Sequence, residues 1–314
     1  MTDVGRHPAR VLAPNPGPFT LEGTNTWIVG RGPTLVIDPG PDDPAHLATV
    51  LRRARPIAAI LVTHHHPDHA DGTDALARDA GVPVHAFRPE HSEERLINGQ
   101  TIAAGTTTLR VVHTPGHSAD HVVFHDAESG ALFTGDAVLG RGTSVVDPPD
   151  GDMRAYVRSL SLMASLGPRT LYPGHGPIVW SAAERLREYL DHRRMREDQI
   201  LAALSSRPRS PEDLVPKIYA DVDSSLQPLA ARSVLAHLLK LEAEGRAVRS
   251  GPRGQDRFAS AVLGACSRCG RAVVRGGTLC DRCRLAVLQE APGPPKDAAA
   301  EPDVASERPA SGPA

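Results

Sequence analysis

No cysteine occurs in the first 265 residues of this 314-residue chain; all four lie between Cys266 and Cys283. A thiol nucleophile is therefore excluded from the main body. Aromatic residues are scarce at 4%, and none follows Phe258, so stacking on nucleobases is not expected from the last part of the chain. No apolar run approaches the roughly 20 residues that a membrane helix needs. The start, Met-Thr-Asp-Val-Gly-Arg, lacks the apolar stretch of a secretory signal, so the expectation is a cytoplasmic protein. Net charge is also scarce, at −2 overall. The length allows a large core and predicts two or more units.

Histidine is where the chain is rich. Residues 63–69 read Thr-His-His-His-Pro-Asp-His, placing His64, His66, Asp68 and His69 within six residues. The preceding run, Ile57 to Val62, is apolar and reads as a buried parallel strand. The following run, Ala70 to Ala80, reads as a helix stopped by Gly81. A strand-end loop therefore concentrates three imidazoles and a carboxylate, the ligand types that a zinc-class ion selects. The 64/66 alternation lets two side chains reach one ion while 68 and 69 reach a neighbour. His117 in T-P-G-H-S, Asp136 in F-T-G-D and His175 in Y-P-G-H-G follow further short apolar segments, each framed by Gly or Pro. Five imidazoles and two carboxylates at strand ends describe a two-metal site. Coarsely, strands at 25–30, 35–38 and 57–62 alternate with helices at 43–54 and 69–80, and another helix is expected over 153–166; periodicity supports an α/β fold.

With these motifs in place, residues 12–180 resemble the metallo-β-lactamase superfamily. The resemblance implies an αβ/βα sandwich with metals where the two halves meet. It also implies that His64, His66 and His117 hold one zinc ion, that Asp68, His69 and His175 hold a second, and that Asp136 bridges both. Asp68 and Asp136 are the catalytic candidates. In such a site two divalent ions generate a shared hydroxide that attacks a carbonyl or phosphorus. Secreted class B β-lactamases usually carry Cys or Ser at the bridging position, so Asp136 argues against lactam cleavage. Asp38 in V-I-D-P-G would orient a ligand histidine from behind, or cap the turn before Pro39. His65 points away by alternation. His85, His91, His113, His121 and His125 read as surface or hydrogen-bonded structural residues, His121 being the strongest exception. Arg141, in the loop 140–144, is positioned to meet a phosphate or to be solvated.

The character changes after residue 181. A charged amphipathic helix over 182–204, breaks at Pro208 and Pro211, a helix opened by Pro228 and ended by Gly245, and a basic hairpin from Arg249 to Phe258 follow the order of a winged helix, here placed at 182–262. N-P-G-P-F-T-L-E-G-T-N-T (Asn15–Thr26), H-R-x-x-R-E-x-Q-I-L (His192–Leu201) and A-H-L-x-K-L-x-x-E-G (Ala236–Gly245) resemble the lactamase-beta-like protein 2 and glyoxalase-II-like group. That likeness implies an endoribonuclease acting on single-stranded RNA, or a thioester hydrolase of glyoxalase-II type. Beyond it, Cys266-x-x-Cys269 and Cys280-x-x-Cys283 read as a zinc ribbon over 263–286 holding one structural zinc ion. Residues 287–314 are Pro-, Ala- and acid-rich and read as a disordered tail. From Arg246 to Arg284 nine arginines face only Asp256 and Asp281, a formal +7, which leaves −9 for the remainder of a chain whose total is −2. Such a basic segment beside an acidic body is a nucleic-acid footprint, or an arginine-rich solvated surface. The sequence therefore reads as a metallo-β-lactamase-type catalytic domain over 1–181 with a dinuclear zinc centre, foremost a phosphodiesterase cleaving single-stranded RNA, with a glyoxalase-II-like thioester hydrolase as the alternative. The partner expected is RNA or a small thioester or phosphodiester. Less favoured is a regulator that binds nucleic acid. No membrane partner is expected, and a homo-oligomer is compatible with the sequence.

Overall fold

The computed structural model describes residues 7–88, 94–220, 226–252, 256–265 and 272–274. Two sheets carry the first 175 residues. The first runs in spatial and chain order alike: β1 (Ala9–Leu12), β2 (Asn25–Val29), β3 (Thr34–Ile37), β4 (Ile57–Leu61), β5 (Val84–Ala86) and β6 (Glu94–Arg95). Pairing is antiparallel as far as β3 and parallel from there to β6. α1 (Pro44–Ala54), α2 (Pro67–Ala70) and α3 (Thr73–Ala80) are the helices threaded through it. The second sheet holds β7 (Thr101–Ala104), β8 (Thr107–His113), β9 (Val122–Asp126), β10 (Ala131–Gly135) and β11 (Thr170–Pro173). Its β7 to β10 form an antiparallel meander, and β11 returns parallel to β10 after crossing through α4 (Met153–Ser165).

Alternation along the strands sorts side chains onto two faces. Trp27, Val29, Leu35, Ile37 and Leu61 of the first sheet meet Leu109, Val111, Phe124, Phe133 and Tyr172 of the second in a core between the sheets. The intervening residues Ile28, Val36 and Ile60 point outward onto Leu47, Val50 and Leu76 of α1 and α3. Val112, Val123, Leu132 and Leu171 likewise point out onto Met153, Tyr156 and Leu160 of α4 and onto Leu186 and Tyr189 of α5 (Ala182–Ala203). Both faces of both sheets are thus covered, which is why the central strands are continuously apolar. Asp43 and Asp152 cap α1 and α4 by accepting from His46 N and Ala155 N.

One expected element is divided. The helix anticipated over 69–80 is two, because Gly72 lies against the Gly40–Pro41 backbone: a Cβ there would meet Pro41 O at 2.9 Å. The short α2 consequently stays over the site while α3 packs on the sheet.

After α5 come α6 (Pro211–Ile218), α7 (Gln227–Ala243), β12 (Ala247–Ser250) and β13 (Arg257–Ser260). Ile200, Leu214, Ile218, Val234, Leu238, Leu241 and Phe258 enclose a core of their own. α6 opens with a capping box in which Ser210 and Asp213 each accept from the other's backbone N–H. One compact unit extends to Ala261 and a second begins at Val262. In the second, β14 (Val262–Ala265) and β15 (Ala272–Val274) pair antiparallel. Cys266, Cys269, Cys280 and Cys283, the tail from residue 287 and His91 lie outside the described residues.

Candidate metal centre

All the expected ligands lie beyond strand ends, Asp68 and His69 in the short helix α2 and the other five in loops. His64, His66, Asp68 and His69 follow β4, Asp136 follows β10 and His175 follows β11, while His117 sits in the turn between β8 and β9. Gly135 and Gly174 allow this convergence. A Cβ on Gly174 would fall 2.6 Å from His69 Cε1 and 2.8 Å from Asp136 Oδ1, and one on Gly135 would fall 2.5 Å from Thr63 Oγ1.

The structure gathers the ligands into the two expected groups: His64, His66 and His117; and Asp68, His69 and His175. His66 Nδ1 lies 3.0 Å from both His64 Nε2 and His117 Nε2. His69 Nε2 and His175 Nε2 are 3.2 Å apart, and Asp68 Oδ2 is 3.1 Å from the latter. Asp136 lies between the groups, with Oδ1 3.4 Å from both His69 Nε2 and His175 Nε2 and Oδ2 3.8 Å from His117 Nε2.

The residues fit a pair of divalent cations. Imidazole nitrogens bonded to one tetrahedral zinc ion at about 2.0–2.1 Å would stand about 3.3 Å apart, close to these separations. Asp136 Oδ1 is buried without a hydrogen-bond partner, a costly arrangement that a cation would relieve. On four of the five rings the other nitrogen is engaged on the far side. His69 Nδ1 donates to Asp38 Oδ2 at 2.8 Å, His117 Nδ1 to Val145 O at 2.7 Å and His175 Nδ1 to Gly23 O at 3.2 Å. His64 Nδ1 meets Thr63 Oγ1 at 3.0 Å, and that hydroxyl donates to Asp38 Oδ2. Each contact fixes the tautomer that aims a lone pair inward.

Protonation follows the same division. Burial drives His64 well below its ordinary value, and His69 and His117 add to the effect. Burial and then His117 take His66 down to about 4. Burial also opposes charge on His69 and His175, but Asp136 leads the carboxylates that outweigh it. His69 is held well above its usual range, and His175 is raised to about 9. Against its own burial, Asp136 is held well below the carboxylate range by His175 and His69. The carboxylates thus favour a proton on His69 and His175, for which a metal ion would compete.

Asp38 serves the site rather than merely capping a turn. It adopts φ +52° and accepts from Thr63 N, Thr63 Oγ1 and His69 Nδ1. His65 turns aside to Asp120, at 2.8 Å. His121 is fully buried; its Nε2 accepts from Asp136 N and its Nδ1 meets Thr114 Oγ1, so it supports the bridging residue from behind. Arg141 is paired with Glu22 at 2.6 Å across the loops beside Gly176. Sequence reasoning did not find Thr63, Asp120 and the carbonyls of Val145 and Gly23. The carbonyls carry no residue-type signal, whereas Thr63, directly before the histidines, was visible.

Comparison with known proteins agrees with this architecture. The metallo-beta-lactamase superfamily matches residues 19–96 and 86–175, and the beta-lactamase associated winged helix domain matches 210–255. A beta-lactamase-like protein 2 homolog of Drosophila melanogaster is 36% identical over 76% of this chain and 88% of its own. The thioesterase pkgB of Emericella nidulans is 34% identical over 90% of this chain and 87% of its own. Among solved structures, a beta-lactamase domain protein from Burkholderia ambifaria superposes with TM-score 0.68 at 25% identity, covering 81% of this chain and 91% of that one. A metallo-beta-lactamase family protein from Thermus thermophilus has the same fold, with TM-score 0.68 at 24% identity over 81% of this chain and 98% of that one. The chain belongs to the metallo-beta-lactamase superfamily and joins its hydrolase core to a beta-lactamase-associated winged helix.

Proposed function

We propose that the chain is a zinc-dependent hydrolase of acyl thioesters, converting a thioester and water to a carboxylic acid and a thiol. The observation that carries the metal-dependent part is the back-to-back arrangement of two three-residue groups with Asp136 between them. When bound, two zinc ions would lower the pKa of water towards about 7 and polarise the carbonyl. The chain's own part is orientation. Asp38, Thr63, Val145 O and Gly23 O hold the ligand rings, and Asp136 places one carboxylate oxygen towards each group.

Two observations favour an acyl over a phosphoryl substrate. Arg141 and Arg88 are already committed to carboxylates, Arg141 to Glu22 and Arg88 to Asp120 and Asp150, rather than forming a fork for phosphate. Furthermore, a match over 90% of this chain necessarily includes most of residues 210–255, so the relative named a thioesterase shares the winged module. That module therefore does not by itself indicate nucleic acid.

Cleavage of single-stranded RNA is the second reading, favoured by the formal +7 between Arg246 and Arg284. Asp256, which pairs with Arg249, is already counted in that sum, but Arg257 also faces Asp213 and Arg246 faces Glu197, acids outside the segment, which lowers the charge available to phosphates. The deciding assay offers zinc-loaded protein S-lactoylglutathione, an acyl-pantetheine thioester, single-stranded RNA and single-stranded DNA side by side. Thioester turnover without RNA cleavage is expected. RNA cleavage with both thioesters untouched would overturn the proposal in favour of the phosphodiesterase.

A further inference from the structure

The C-terminal helices are not a passive appendage to the metal centre. Three arginines from α5 and α7 donate to four backbone carbonyls of the single stretch 139–148: Arg185 to Leu139 O and Gly142 O, Arg193 to Ser144 O, and Arg232 to Pro148 O. Arg232 also reaches the Asp147 carboxylate. This stretch leads from the bridging Asp136 into α4. Its Val145 O is the acceptor for His117 Nδ1, and its Ser144 Oγ donates to Asp136 O at 2.6 Å.

Arg193 is the centre of the arrangement. It is only 3% exposed, although it is an arginine on a long charged helix. Its guanidinium lies over the Tyr156 ring at 5.1 Å, and Tyr156 Oη donates to Ala137 O, next to Asp136. Backbone carbonyls cannot be aimed by residue type, so the loop needs an external hold to present Val145 O to one imidazole. A planar guanidinium fixed against a buried ring supplies a rigid donor for that purpose.

We propose that Arg193 and Arg232 are positioning residues for His117, acting through Ser144, Val145 and Pro148, so that α5 and, through Arg232 of α7, the winged helix are working parts of the hydrolase. The inference rests on the metal-site reading above only for its second measurement. Substituting Arg193 need not unfold the chain, because its Nε is buried without a partner and removing the charge also removes that cost.

The test uses full-length Arg193→Met and Arg232→Gln, checked for folding by circular dichroism. Nitrogen-15 NMR of the metal-free protein, with His117→Gln to assign the ring, reads the His117 tautomer. Wild type is expected to show Nδ1–H alone, and Arg193→Met a mixture. Cobalt titration should then show the ion at His64, His66 and His117 weakened about 10- to 100-fold, as for other residues that orient metal ligands. The ion at Asp68, His69 and His175 should stay within about twofold, by the same reasoning. Arg232, 43% exposed at its side chain, decides the question if Arg193→Met fails to fold. A His117 ring that keeps the wild-type tautomer in every folded variant overturns the inference. A wild type binding fewer than two cobalt ions counts instead against the two-ion reading, and the tautomer comparison still decides the role of the arginines.

Discussion

Asp38 Oδ2 lies 2.8 Å from His69 Nδ1, and the same oxygen accepts the hydroxyl proton of Thr63, itself the partner of His64. One carboxylate outside the ligand set therefore sets the orientation of one ring in each metal group.

Asp38→Asn should weaken metal binding about 10- to 100-fold, because an amide nitrogen facing His69 Nδ1–H sets donor against donor. Competition against a chromogenic chelator measures it. Unchanged affinity would mean that Asp38 only shapes its turn.

Asp136→Ala should lose bound metal and reduce turnover by orders of magnitude, with folding of the metal-free variant checked separately because the carboxylate also faces His69 and His175. Elemental analysis showing two ions and full activity in this variant would remove the bridging assignment.

Acid should destabilise the C-terminal module through His237. Its ring is fully buried with both nitrogens unpartnered, and burial, then Arg193, with Lys240, His192 and Arg196, lowers it to about 3. A folded pKa below the unfolded value of about 6.5 means that the unfolded state binds the extra proton, so stability falls as pH drops from 6.5 towards 3. At pH 5 the loss is on the order of 2 kcal/mol. Denaturant titrations of His237→Leu should show a flatter acid limb; a limb parallel to wild type would exclude His237 as its source.

If Cys266, Cys269, Cys280 and Cys283 bind zinc, the protein should hold about three zinc ions and show four free thiols when denatured without reductant. Finding no free thiols would establish disulfides in their place.

Ending the chain after Ala261 removes five of the nine arginines between Arg246 and Arg284 without cutting into the unit that closes there. If those arginines bind RNA, every phosphate they neutralise accounts for roughly 0.7 of the single-strand log–log salt slope, and the slope should flatten accordingly. Thioester hydrolysis should persist. A shortened chain binding RNA identically at every salt concentration would assign the arginines to solvent. Ending after Glu244 would be a poorer test, since Phe258 is fully buried in the winged core.

The cluster of seven candidate ligands was legible because metal chemistry demands particular side chains at strand ends, and His64 through His175 carry that demand in their identities. The αβ/βα layering was legible only through the resemblance; alternation in Thr34–Ile37 and its neighbours supports strands but not their order. The hold on His117 was illegible, as Val145 contributes a carbonyl that any residue would offer. Arg193 reads as one more solvated charge on a polar helix until its burial is seen. The summed charge of the wing is incomplete for a related reason, since a count within the segment does not record that Arg246 and Arg257 face Glu197 and Asp213 outside it.

Each three-residue group takes two residues from beside β4 and completes itself with one from the other sheet, across 51 residues for His66 and His117 and 106 for His69 and His175. A bound ion would thus also tie distant parts of the folded chain together, stabilising it by binding the native state and not the unfolded one. The first sheet can be synthesised in full and still own no complete group until His117 has been made, and no second one until His175 follows. Metal supply would then bear on the lifetime of the chain as well as on its turnover: losing the ions removes these ties and leaves the two sheets held by the core between them.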